Sequence, residues 1–149
     1  MPRPPISKPA APPIHWPSLL PTESRAEWED LRAWVEQFVD RFAIDTRTIP
    51  PCWYRHNTMV ETLAALRDHE RGSYGDSTAK TTAVEWLRAV RDVESLLKES
   101  ASRTGCTAAE HRPDARARWS VAEGDWADFI GHDEAQRSAI LLDAQCEDG

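Results

Sequence analysis

Only three cysteines occur in the 149 residues, at positions 52, 106 and 146, too few and too scattered for the disulfide framework of a small secreted domain. Thiols that stay reduced or bind metal are the expectation, which suits a cytoplasmic protein. No run approaches the ~20 apolar residues of a membrane span, and the N-terminus lacks the apolar core of a signal peptide, so neither insertion nor secretion is expected. Glycine is scarce at six residues, and none of them builds a phosphate-cradling loop. There is no strand-like alternation and no internal repeat. An HExxH motif, a Ser-His-Asp set with a nucleophile turn and paired carboxylates in a recognisable cleft are all missing, and the chain reads as a non-enzyme.

What the chain does have is tryptophan and proline. Eight of its eleven prolines fall within the first 21 positions, which marks residues 1–13 as a Pro-rich disordered arm of polyproline character. Ile14, Trp16, Leu19 and Leu20 are too apolar for a free linker and are expected to lie back on the domain. Net charge is also uneven. Residues 120–149 hold eight acids against Arg137 alone, and so carry the whole formal charge of −7, leaving residues 1–119 neutral. An acidic, partly helical tail over 120–149 therefore follows a single helical domain over 14–119. That balance argues against a broad nucleic-acid-binding face.

Trp28, Leu31, Val35, Phe38 and Phe42 recur at helical spacing, predicting a helix capped by Thr22 or Ser24 and ending near Phe42. The Pro50-Pro51 pair, tolerated in a first helical turn, predicts a second helix from about Pro51 through Cys52, His56, Met59, Val60, Leu63 and Leu66 to about His69. A third helix is expected from Ser77 or Thr78 through Val84, Leu87, Val90 or Arg91, Val93 or Glu94, and Leu97, breaking over 100–105 with Gly105 as terminator. Residues 106–119 read as one or two short turns. The fold class is thus all-α: three main helices plus short C-terminal helical segments, with Trp28, Leu31, Val35, Phe38, Leu63, Leu66, Val84, Leu87 and Leu97 as core and Trp53 packed beneath the candidate site.

That site is built from two Cys/His pairs. On a helix Cys52 and His56 share a face, and Cys106 and His111 can converge across a helix end and a turn. Two thiolates and two imidazoles form the ligand set that structural zinc favours, with no position left for a water nucleophile. Asp68 and His69 are substitute ligands. A second reading stands beside it: Cys52 packs next to Trp53 and His56 is an ordinary helix residue, since cysteine is among the most often buried residue types.

Two further groups are candidates for binding. Arg112, Arg116 and Arg118 beside Trp119 combine cations with an aromatic, as nucleic-acid contacts do, yet the same run also reads as a solvated or tail-pairing loop. Trp126, Phe129 and Ile130 share a helical face in the acidic tail and can meet either an unknown protein partner or the chain's own core.

The run Ile49-Pro50-Pro51-Cys52-Trp53-Tyr54-Arg55-His56, followed by Met59-Val60-Glu61-Thr62-Leu63 and Leu66-Arg67, resembles the signature of an uncharacterised actinobacterial domain-of-unknown-function family found in plasmids, phages and integrated elements. The resemblance runs from about Trp16 to about His111 and leaves out the arm and the tail. It implies a mobile-element protein, and it implies that Cys52, His56, Cys106 and His111 belong to one ligand set. The expected function is a non-enzymatic accessory protein acting through protein–protein contacts, with one structural zinc; the alternative is a small nucleic-acid-associated regulator.

Overall fold

Proline at the start of a helix forfeits only an amide that has no partner there, and Pro21 opens α1, Pro21–Phe42. The Leu20 amide donates to the Glu23 carboxylate at 3.2 Å, so the helix begins a residue or more before the expected caps Thr22 and Ser24. These elements belong to a computed structural model describing residues 12–116 and 118–147; most of the Pro-rich arm lies outside the described residues. Trp16, in a 3₁₀ turn over Trp16–Ser18, packs on the core and meets Trp28 at 4.5 Å between ring centroids.

The second helix departs from its prediction. Cys52 precedes a 3₁₀ turn, Trp53–Arg55, and α2 begins only at Asn57, running to Ser73. Pro50 and Pro51 do not sit in a first helical turn. Asp45 organises the stretch before them, its carboxylate accepting the amides of Arg47 and Thr48 and the Thr48 hydroxyl. Thr48, Ile49 and Pro50 are thereby pressed into the interior, and the turn that follows closes on the Pro50 carbonyl through the Trp53 amide. His56, extended at φ −117, then accepts the Met59 and Val60 amides as the N-cap of α2.

Helix α2 packs against both α1 and α3, Thr82–Thr104. A helix between two neighbours needs a wide apolar arc, and Met59, Val60, Leu63, Ala64 and Leu66 are all buried. Arg67, also buried, meets Asp30 at 2.9 Å and Asp68 at 3.0 Å, while Arg71 grips Asp30 with two hydrogen bonds. Trp34 and Arg41 of α1 both donate to Glu70. Polar pairs thus pin α1 to one side of α2.

The α3 stripe is Trp86, Val90, Leu97 and Ala101, with Val93 half-buried between them. Val84 and Leu87, expected in the core, are more than half exposed, and Trp28 is 37% exposed. The physical reason lies in the helical pitch: steps of three from Val84 rotate the pattern away from the axis, whereas Trp86 holds the stripe at steps of four and seven. Ser100 and Ala101 remain helical and buried, so α3 runs past the predicted break to its terminator, Gly105.

The chain divides into one compact unit up to Ala115 and a second from Arg116 onward. In the second unit α4, Glu123–Glu147, is continuous rather than a set of short pieces. Trp126, Phe129, Ile140, Leu141 and Leu142 on it are all exposed. All secondary structure among the described residues is helical, with no strand, and no helix among them is long and apolar enough to cross a membrane.

Candidate metal centre

Each half of the site is built by local sequence. The tight turn between Pro50 and His56 brings Cys52 back toward His56, with the thiol 3.7 Å from Nε2. The two therefore converge across a 3₁₀ turn and not along one helix face, as the sequence reading had it. On the other side Gly105 closes α3 at φ +68, a left-handed conformation in which a side chain is strained, and this turns Cys106 out of the helix axis. Thr107 then accepts the Ala109 and Glu110 amides, folding the next four residues so that His111 comes back beside Cys106. This stretch forms no helical segment among the described residues.

Cys106 is the hub. Its Sγ lies 3.3 Å from His56 Nε2 and 3.8 Å from His111 Nδ1, and it accepts the Arg112 amide at 3.2 Å. One donor atom from each of Cys52, His56, Cys106 and His111 falls within 4.8 Å of all the others. Zinc bonds of about 2.3 Å to sulfur and 2.0–2.1 Å to nitrogen set tetrahedral donor–donor edges at roughly 3.3–3.8 Å. The three sulfur–nitrogen distances, 3.3, 3.7 and 3.8 Å, span that range, so the four side chains could hold a metal ion. Asp68 and His69, the substitute ligands, are elsewhere: Asp68 pairs with Arg67, and His69 meets Ser73 and the Trp86 ring.

A residue the sequence reading left out completes the arrangement. Asp114 sits 2.7 Å from His56 Nδ1, on the side of the ring opposite the thiols. With the proton on Nδ1 and shared with the carboxylate, Nε2 keeps its lone pair pointed at Cys52 and Cys106, the orientation a metal-bound imidazole needs. His56 is only 1% exposed, so its ring is also held sterically. Asp114 lay in the Arg-rich run, where nothing but spatial convergence could single it out.

The electrostatics favour a thiolate at the hub. Burial acts to raise the Cys106 thiol, but the Arg112 amide, the Thr104 hydroxyl, the Cys52 thiol and the His56 ring together outweigh it and bring it down to about 7. Burial, and then the neighbouring Cys106 thiol, push Cys52 upward. Burial, and then the nearby Arg55 charge, push His111 below the usual imidazole range. Two thiolates would neutralise a divalent cation, and Asp114 would balance residual charge on the His56 ring.

The remaining candidates are not gathered in this way. Arg112 belongs to the first unit, with its side chain 3.7 Å from Glu110, whereas Arg116, Arg118 and Trp119 fall in the second. Trp119 is 83% exposed. Trp126 and Phe129 are neighbours on α4 at 6.3 Å, both exposed, with Ile130 less so. The third cysteine, Cys146, is exposed on the same helix.

Compared with family models, with curated proteins and with solved structures, the chain matches none of them.

Proposed function

We propose that this protein is a non-enzymatic helical module closed by one structural zinc, acting through protein–protein contacts. The observation that supports it is the convergence of four soft and borderline donors within 4.8 Å, drawn from segments about fifty residues apart. Zinc is preferred to harder cations because thiolate and imidazole ligands select it over magnesium or calcium. Four protein ligands fill its shell, so no position remains to activate water, and the bound ion supplies cross-linking alone. It would fasten the turn before α2, itself anchored in the core by Ile49 and Trp53, to the irregular segment after α3.

Trp126, Phe129 and Ile130 on the acidic α4 are the partner-contacting residues in this reading. In this reading the module is an accessory protein of a bacterial mobile element working in the cytoplasm, a reading that draws on the resemblance of residues 49–67. The test is elemental analysis of protein purified without a histidine tag, joined to X-ray absorption at the zinc edge. One zinc per chain in an S₂N₂ shell is expected. Metal-free protein, or a shell containing an exchangeable water, overturns the reading.

The alternative, a nucleic-acid-associated regulator, draws support from the exposure of Trp119 beside Arg116 and Arg118. It requires binding to single- or double-stranded DNA that weakens steeply with salt. Absence of binding at low salt dismisses it.

A further inference from the structure

A groove of about 890 Å³ runs along α1 on the first unit, and none of the four candidate metal ligands lines it. Its walls combine aromatic and proline surface with acid. Trp28, Pro51, Trp53 and Tyr54 line it, and Tyr54 is half exposed. Trp53 and Tyr54 stand nearly perpendicular, at 88°, with their ring centroids 6.1 Å apart. Along the helix side Glu29, Glu36 and Asp40 recur at spacings of seven and four, on one face. Among the described residues Arg32 is the one cation in the lining, and it is paired with Glu36 at 2.8 Å.

We propose that this groove is the docking site of the chain's own proline-rich residues 1–11. Grooves lined by aromatic side chains take proline-rich segments because the extended polyproline conformation is preformed and has no internal hydrogen bonds to lose, while nearby acids select basic residues in the ligand. The segment Met1-Pro2-Arg3-Pro4-Pro5-Ile6-Ser7-Lys8-Pro9-Ala10-Ala11 has that composition: four prolines, Arg3 and Lys8, and no acid. Pro2 and Pro5 have the spacing of one polyproline turn, with Arg3 between them.

The covalent connection favours this occupant over others. Trp16 packs on Trp28, itself a groove residue, so the chain leading back to residue 12 starts beside the groove. From Trp28 to Asp40 a helix advances roughly 18 Å, and eleven residues in polyproline form reach about 34 Å. A short tether of this kind supplies an effective concentration on the order of millimolar, enough for weak contacts to keep the site filled. Any partner competing for the groove must first displace the arm.

The experiment is nuclear Overhauser spectroscopy on the isotope-labelled full chain, loaded with zinc. Contacts from the proline ring protons of residues 2–9 to the Trp28 and Tyr54 rings are expected. Arg3→Glu combined with Lys8→Glu should reduce the docking equilibrium constant roughly fivefold, the scale of two exposed ion pairs, and Tyr54→Ala should reduce it too. Because Arg3 and Lys8 lie outside the described fold, the charge reversal keeps the test meaningful even if Tyr54→Ala fails to fold. A mixture of labelled and unlabelled chains separates the sources: contacts seen only between chains would mean the arm of a second copy and overturn the proposal. So would the absence of contacts, with relaxation of residues 2–9 matching that of the free peptide.

Discussion

Replacing Cys106 with serine tests the metal centre most sharply, because Cys106 touches two other ligands and receives the Arg112 amide. Serine fills nearly the same volume, so packing is little disturbed, but its hydroxyl is a poor zinc ligand at neutral pH. The loss is therefore the binding free energy itself, since a metal held by the folded and not the unfolded chain stabilises by RT ln(1 + [L]/Kd). With free zinc a hundredfold above Kd this amounts to about 2.7 kcal/mol. For a domain near 100 residues, each kcal/mol shifts Tm by roughly 4–8 °C, giving a fall of about 10–20 °C. Thermal melts followed by circular dichroism should show that fall for Cys106→Ser and for chelator-treated wild type, and chelator should not lower the variant further. Helicity at low temperature should survive, since the buried residues of α1, α2 and α3 do not depend on the metal. Cys146→Ser, changing an exposed thiol outside the cluster, is the control expected to melt like wild type. Equal melting of wild type with and without chelator would refute the reasoning.

Asp114→Ala should weaken zinc binding about 10–100-fold in competition with a chromophoric chelator, through loss of the His56 orientation, while leaving one zinc per chain at saturation. Zinc occupancy should fall as pH is lowered, because both thiols must shed protons to bind. In the metal-free chain Cys106 is depressed from 9.0 to about 7, so its contribution to stability is full above pH 9 and is lost as pH falls through 7. Zinc release followed from pH 8 to pH 5 checks the direction; rising occupancy in acid would contradict the thiolate ligands. Arg67→Ala removes a buried cation from between Asp30 and Asp68 and should cost about 3 kcal/mol in urea unfolding, the lower end for a broken buried pair because Arg71 still holds Asp30. Arg71→Ala, at a more exposed position, should cost about 1 kcal/mol or less.

The helical class and much of the core were legible in the pattern: Leu31, Val35, Phe38, Leu63, Leu66 and Leu97 are all buried, and Gly105 ends α3 where a left-handed residue is needed. Periodicity carries that information because each helix must turn one apolar arc inward whatever it packs against. Periodicity failed where the arc depended on the neighbour. Trp86, the largest side chain wholly buried, displaced Val84 and Leu87 from the α3 stripe, and Arg67 entered the interior because Asp30 and Asp68 meet it there.

The four candidate ligands can be named from residue type and spacing, and the chemistry of two thiols with two imidazoles follows from the sequence alone. Their geometry does not. A double proline before Cys52 is equally compatible with a helix start and with the 3₁₀ turn observed, and the choice falls to Thr48, Ile49 and Pro50 being buried. Nor does any local rule bring Cys106 within 3.3 Å of His56, or set Asp114 against the far side of that ring. Only the packing of α2 on α3 does so. Sequence determined which atoms can bind a metal; tertiary structure decided that they meet, because donors some fifty residues apart acquire a common centre only when the helices between them have packed.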